Sequence, residues 1–269
     1  MRRIGWTMMT VVVVALAVAA PLDALARGCF PLAQGAAGVV PAAWRVAALP
    51  AGKTVEISYL GHSTFLIESK GGIRILTDYN GTYTTAEPPD VATMNNAHSS
   101  HYTPFPDPSI EHVLEGWGAG NRMAEHDVEI GDVRVRNIPT SVHGRAGAQA
   151  NSNSIFVFEV EDLCLAHLGH LHHLLDDVHL GELGIIDVLF VPIDGGYTMS
   201  QQEMARVVRQ IRPSLVIPMH YFGSNALGTF AGLLGDAWPM RIDEDGTFAL
   251  SRLDLPQGAF LVLPPRGRL

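Results

Sequence analysis

The chain has 269 residues, 47% hydrophobic and 17% charged, enough apolar material for one large α/β domain or two small ones and unlike a disordered chain. Its formal charge is −9, and no Lys/Arg run extends beyond Arg2-Arg3, which argues against a nucleic-acid partner, whose binding rests on a basic footprint. Twelve histidines are more than a chain of this size usually carries, so their placement matters most.

Residues 1–26 read as a signal peptide. Arg2 and Arg3 precede an apolar stretch from Ile4 to Ala20, and Ala24-Leu25-Ala26 supplies the small-x-small pattern that signal peptidase requires. Cleavage after Ala26 would deliver a periplasmic or secreted protein. The alternative is an uncleaved anchor, for which the run is short, and membrane contact would then come only through this segment. Residues 27–53, rich in Ala, Gly and Pro, form a lead-in with a short helix expected around Ala42 to Ala48. Residues 54–269 make the main domain. The two cysteines, Cys29 and Cys164, either pair in an oxidising compartment or leave Cys164 as a buried free thiol.

Strand-like runs begin at Val55-Tyr59, Thr64-Glu68 and Ile73-Thr77. Residues 79–110 are loop-like, with five prolines among Tyr79, Tyr83, Tyr102 and Phe105, and a loop that long inside a domain is usually functional. Further strands are expected at Val128 to Ile130, Val133-Ile138, Ile155-Val160 and Leu163-Leu168, and a fully buried one from Ile185 to Val191. Ser200 to Ile211 is the clearest helix: Ser200 and Glu203 make a capping box, Met204, Val207, Val208 and Ile211 line one face, and Pro213 stops it. Leu215-Pro218 and Phe260-Leu263 complete the strands. This order suggests two packed sheets with helices outside.

Several histidines lie just beyond an apolar or strand-like run. His98 and His101 follow Asp90 to Met94, His143 follows Val133-Ile138, His170 follows Leu163-Leu168, and His220 follows Leu215-Pro218. Imidazoles converging from separate strand ends are how a protein builds a transition-metal site. A single histidine at a strand end is more often a structural hydrogen-bonder, so the signal lies in the set and its order.

Gly61-His62-Ser63-Thr64-Phe65-Leu66-Ile67 and Ile75-Leu76-Thr77-Asp78, with Ile193 to Met199 and Ile217-Pro218-Met219-His220-Tyr221, resemble the metallo-β-lactamase superfamily. Within it they are most similar to the branch of ascorbate-6-phosphate lactonase-like and N-acyl-phosphatidylethanolamine phospholipase D-like hydrolases. The resemblance implies a four-layer αβ/βα sandwich with metal at the edge of the sheets. The family's His-x-His-x-Asp-His motif falls on Asn96-Ala97-His98-Ser99-Ser100-His101. Asn96 replaces its first histidine and Ser100 its aspartate. His143 matches the next family histidine, His170 stands where a bridging aspartate is expected, and His220 matches the last. Asp78 corresponds to the aspartate that braces the motif loop.

The implied ligands are His98, His101, His143, His170 and His220. They would hold one or two divalent transition-metal ions, zinc first, with manganese or iron as alternatives. Loss of both carboxylates favours one ion over two, since two close dications repel. An ion held by imidazoles still lowers the pKa of bound water toward about 7. The expected activity is therefore an exported hydrolase that directs a metal-bound hydroxide at an ester, lactone or phosphodiester bond of a small-molecule or lipid-like substrate. Asp194 and His170 are its candidate catalytic residues. Asp194 either orients a histidine, binds metal or takes a proton, or else caps the Gly195-Gly196 turn. Asn96 and Ser100 hydrogen-bond water or substrate, or satisfy their own loop. His62 reads as a buried hydrogen-bonder beside the site. His167, His172 and His173 are further candidates for one extra ligand, while His112, His126 and His179 read as surface residues. The alternative function is a non-catalytic metal- or ligand-binding protein on the same fold.

Overall fold

Fifteen strands and three α-helices occur among the described residues of this computed structural model, which are 29, 39–40, 49–118, 122–144 and 147–267. The signal peptide expected over residues 1–26 and the helix expected around Ala42 to Ala48 lie outside them. In chain order the first strands are β1 (Val39–Val40), β2 (Val55–Gly61), β3 (Thr64–Ser69), β4 (Arg74–Leu76), β5 (Val91–Met94) and β6 (His112–Glu115). They are followed by β7 (Asp127–Ile130), β8 (Val133–Gly144), β9 (Gly147–Val160), β10 (Leu163–His167) and α1 (Asp177–Leu183). The chain continues with β11 (Val188–Pro192), α2 (Gln201–Ile211), β12 (Leu215–Met219), α3 (Ser224–Leu234), β13 (Met240–Ile242), β14 (Thr247–Leu250) and β15 (Ala259–Val262).

One sheet runs β1-β7-β8-β9-β10-β11-β12-β15-β13 and the other β14-β2-β3-β4-β5-β6. The side-chain period of two divides the strands between layers. Phe156, Phe158, Val188 and Phe190 point between the sheets and meet Ile57, Phe65, Ile67 and Ile75 of the smaller sheet. Their neighbours Val157, Leu189 and Val191 point outward against Met204, Val207 and Val208 of α2 and Phe230 and Leu234 of α3. β10, β11 and β12 are buried along their whole length and pair in parallel, as strands covered on both faces do. α2 starts as its sequence indicates, with Ser200 Oγ accepting from the Glu203 amide and donating to its carboxylate.

The outer face of the six-stranded sheet carries Leu60, Leu66, Leu76, Ala92 and Met94, covered by Tyr79, Ile110 and half-buried Tyr102 and Trp117. Among the described residues this layer is built from the 79–110 segment and its continuation, while the helices cover the other sheet. Strand β5 lies within that segment and β6 just after it, although proline content had made the segment look wholly irregular. β8 and β9 extend well beyond their apolar runs, because long-range pairing carries polar residues such as Asn153 and Gln149 in register on either side of an irregularity between Thr140 and Val142. The strand expected from Ile185 starts only at Val188, since Gly184 caps α1 and Ile185 is exposed.

Cys29 and Cys164 form a disulfide, Cα to Cα 5.7 Å, across 135 residues of sequence. The Cys29 carbonyl also accepts from the Ile185 amide, tying residue 29 to the start of the β11 segment.

Candidate metal centre

The site lies where parallel strands of both sheets end. Asp78 follows β4, His98 and His101 follow β5, His170 follows β10, Asp194 follows β11 and His220 follows β12. A crevice outside the carboxyl ends of parallel strands is the usual ligand position in α/β folds. The seventh contributor, His62, comes from the tight turn between β2 and β3.

Three of these residues hold left-handed backbone: His62 at φ 54°, Asp78 at φ 46° and His220 at φ 54°. Side chains disfavour that region, and residues held there concentrate at functional sites. Gly61 lets the β2–β3 turn form, since a Cβ there would lie 2.6 Å from the Tyr83 ring.

His62, His101 and His220 present ring nitrogens that all lie within 4.8 Å of one another. His101 is fully buried and its Nδ1 is 2.6 Å from Asp78 Oδ2, which fixes the ring and leaves Nε2 facing the cluster. Burial alone would push the Asp78 carboxyl up, but His101, by charge and hydrogen bond, with His167 and the Asn95 amide, holds it at about 2. His220 Nδ1 lies 3.0 Å from Asp194 Oδ2, an ion-pair distance although not aligned as a straight hydrogen bond. Asp194 caps its turn and also faces a histidine. Its Oδ1 accepts from the Gly196 amide at 2.8 Å, the Thr198 amide at 3.0 Å and the Tyr197 amide, capping the turn, while Oδ2 takes the Thr198 hydroxyl and faces His220. Against the upward push of burial, His220 and these hydrogen bonds hold its carboxyl below the usual range.

His170 stands beside this triad. Its Nδ1 is 3.0 Å from His101 Nε2, and its backbone amide is anchored by Asn153 Oδ1 at 2.7 Å. Burial, then His101 and His172, lowers its pKa to about 3; burial, then His220 and His101, lowers that of His62 to about 4. Both imidazoles are therefore neutral at ordinary pH, the form that binds metal. The buried His62 Nε2 has no hydrogen-bond partner. An orphaned buried nitrogen beside two carboxylate-backed imidazoles fits a cation that accepts nitrogen ligands.

The other sequence-derived residues sort differently. His98 is exposed, with Nδ1 2.7 Å from Ser100 Oγ and its ring 6.2 Å from His101 and 6.0 Å from His170, so it borders the cluster from the solvent side. His143 is exposed at the end of β8, and its ring stands 6.2 Å from His173. Asn96 donates to the Ser152 carbonyl on β9, and Ser100 serves His98 within the loop. His167 uses both nitrogens on backbone, donating to the Ser63 carbonyl at 2.9 Å and accepting from the Gly169 amide. His173 is likewise spent, on the Leu174 carbonyl and the Ser141 amide. His172 adjoins His170, with ring centroids 4.9 Å apart and a buried Nε2 that has no partner. His112, His126 and His179 are half-buried rather than surface residues; His179 meets the N-cap Asp176 and His126 the Glu115 carbonyl. Tyr79 is core, Tyr102 packs on Trp117, and Tyr221 stacks on Tyr59.

Sequence reasoning assigned His62 a hydrogen-bonding role, whereas the structure brings it into the cluster. The available signal was a histidine between Gly61 and Ser63 at a strand turn. Asn95, which joins the two sheets through Ser154, and Asn153, which holds the Leu168–His170 turn from β9, carried no signal at all.

Comparisons with known proteins agree with this picture. A model described as the beta-lactamase superfamily domain matches residues 56–220, well over half of the 269. Relatives include a UPF0173 metal-dependent hydrolase of Pyrococcus horikoshii, 25% identical over 190 residues, covering 62% of this chain and 84% of that protein. Another, from Lysinibacillus sphaericus, is 25% identical, covering 62% and 85%. Among solved structures, a candidate Zn-dependent hydrolase of the metallo-β-lactamase superfamily from Thermotoga maritima aligns with TM-score 0.54 at 26% identity, covering 77% of this chain and 97% of that one. A metallo hydrolase from Ignicoccus hospitalis shares the fold, with TM-score 0.53 at 19% identity, covering 73% and 99%. Two sheets whose parallel strand ends converge on histidines, and a family match across most of the domain, lead to one assignment: the chain belongs to the metallo-β-lactamase superfamily.

Proposed function

We propose that the protein is an exported metal-dependent hydrolase whose ion is held by His62, His101 and His220, with His170 as an adjoining ligand or proton carrier. The observation that carries this reading is the trio of imidazoles within 4.8 Å, two of them faced by the carboxylates of Asp78 and Asp194. Such carboxylate–histidine pairs set the tautomer and raise ligand basicity. The relatives named metal-dependent hydrolases support the activity. The motif departures at Asn96 and Ser100, together with the position of His143, favour one ion over two. Zinc suits an imidazole set, with manganese or iron as alternatives.

A divalent ion here would acidify a bound water and polarise the scissile bond. The chain's own residues do the rest. Asp78 and Asp194 keep His101 and His220 oriented. His170 contacts the same His101 Nε2 that would face the ion, so on metal binding it would give up that contact and adjoin the ion as a further nitrogen donor or proton carrier. Asn153 keeps His170 in position through its backbone amide. Residues 193–199 and 217–221 support membership of the lactonase-like and phospholipase D-like branch. Export is supported by the signal-like residues 1–26 and by the Cys29–Cys164 disulfide, which suits an oxidising compartment. It is tested by N-terminal sequencing of protein recovered from a periplasmic fraction, where an intact Met1 terminus would refute cleavage.

The first test is elemental analysis of purified protein beside His101→Ala and His220→Ala. About one equivalent of transition metal per chain, lost in both variants, is expected. Protein that neither contains metal nor takes it up on reconstitution would sink the reading. Metal-replete protein inactive on a broad panel of esters, lactones and phosphodiesters would leave a non-catalytic metal-binding protein.

A further inference from the structure

Phe222 and Tyr197 are 70% and 68% exposed. They arise from the two loops that supply His220 and Asp194, just after β12 and β11. Their rings meet edge to face at 5.8 Å, and the Phe222 ring lies 5.9 Å from His220 and 6.2 Å from His62. One wall beside the histidine centre is thus a water-exposed aromatic pair. Tyr197 is set in place by the same carboxylate that faces His220, since Asp194 Oδ1 accepts its backbone amide.

The charges carry a second message. The carboxylates at the centre, Asp78 and Asp194, are anionic, and several cations are committed elsewhere. Lys53 pairs with Asp254, Arg74 with Glu68, Arg134 with Asp127, Arg136 with Glu159, and Arg252 with Asp187. Phosphate recognition usually recruits an arginine fork or a lysine. The Phe222 and Tyr197 rings beside the histidines offer apolar area.

We infer that Phe222 and Tyr197 form an acyl- or aryl-binding subsite, and that the substrate is an uncharged carboxylic ester or lactone with an apolar group flanking the scissile carbonyl. This rests on the hydrolase reading above and narrows its substrate class. In the reaction, water oxygen bonds to the acyl carbon, the acyl C–O bond breaks, and the departing alkoxide oxygen takes a proton, giving acid and alcohol. Apolar area covered by the rings selects among substrates by chain length.

The test compares p-nitrophenyl acetate, butyrate and octanoate with bis-p-nitrophenyl phosphate on metal-loaded protein and on Phe222→Ala and Tyr197→Ala. Calorimetry of octanoate and acetate binding is run on the same proteins without metal. The expected result is kcat/KM and affinity about tenfold or more higher for the octanoyl compounds than for the acetyl ones, with that preference cut to roughly threefold or less in Phe222→Ala. Equal handling of all chain lengths, or a preference for the phosphodiester, would overturn the subsite while leaving the hydrolase reading intact. Octanoate binding that depends on Phe222, with no hydrolysis of any compound, would uphold the subsite and defeat the hydrolase reading. Circular dichroism of the variants checks that they fold.

Discussion

The backbone amide of His220 donates to the carbonyl of His62 across 2.7 Å, joining the end of β12 in one sheet to the β2–β3 turn in the other. The rings above this bond stand 4.2 Å apart, and both residues share a φ of 54°. The link fixes the two imidazoles relative to each other without using their side chains, and Tyr59 reinforces it by donating its hydroxyl to the same His62 carbonyl at 2.9 Å. A centre anchored by backbone in this way is held open before an ion arrives.

That geometry separates binding from stability at residue 62. His62→Gly removes an imidazole but suits the left-handed backbone better than any side chain. The variant should bind zinc at least about tenfold more weakly while the metal-free protein melts no lower than wild type. Competition with a chromophoric chelator and a thermal melt read the two effects. Unchanged affinity would return His62 to a hydrogen-bonding role.

Asp78 touches His101 only through its outer nitrogen, so Asp78→Asn tests orientation rather than ligation. Loss of the charged acceptor should weaken metal binding about 10–100-fold. His98→Ala, which removes an exposed ring at the margin, should weaken it less than His101→Ala does. The reverse ranking in an elemental analysis after dialysis would shift the ion toward His98.

Metal-free protein should lose stability with acid in a defined window. His62 and His170 titrate in the fold at about 4 and about 3 because burial disfavours their charged forms, against 6.5 unfolded. The unfolded chain therefore binds protons that the native state refuses. Their contribution is complete above pH 6.5 and is lost as pH falls through the native values. Asp78, held at about 2, adds stability that fails only at lower pH. Melts from about pH 8 to about pH 4 should show a falling midpoint below 6.5, with a shallower fall in His170→Gln; a flat profile would contradict the burial of these rings.

Gly169 carries φ +58°, and a Cβ there would lie 2.6 Å from the Asn95 side chain and 2.7 Å from Asn153 Oδ1. Gly169→Ala should cost roughly 1–3 kcal/mol or more and displace His170, because Asn153 holds that residue's amide. Urea unfolding and metal titration together check this, and wild-type values in both would show that the loop yields freely.

The Cys29–Cys164 bridge closes a loop of 135 residues. Cys29→Ser/Cys164→Ser should lower stability by about 2–5 kcal/mol in denaturant unfolding. Since the bridge runs through the outer face of β10 rather than the histidine crevice, metal content should persist in the folded variant.

The sequence by itself determined the sandwich, because strand runs, buried apolar segments and the Ser200–Glu203 cap are local signals that tertiary packing did not override. It also determined that histidines gather at strand ends, since their spacing from apolar runs is visible along the chain. Strand ends that the sequence showed as short reached further, as in β8 and β9, because cross-strand pairing carries polar residues that no local pattern marks. Which histidines meet was decided only in three dimensions. His167 ends β10 and His170 follows three residues later, yet one is spent on the Ser63 carbonyl and the other on the His101 ring. His62, alone in its turn, joins the cluster because two left-handed residues and one backbone hydrogen bond between sheets set its ring toward His220. Direction of a side chain at a strand end depends on φ and on the facing sheet, and a linear sequence carries neither.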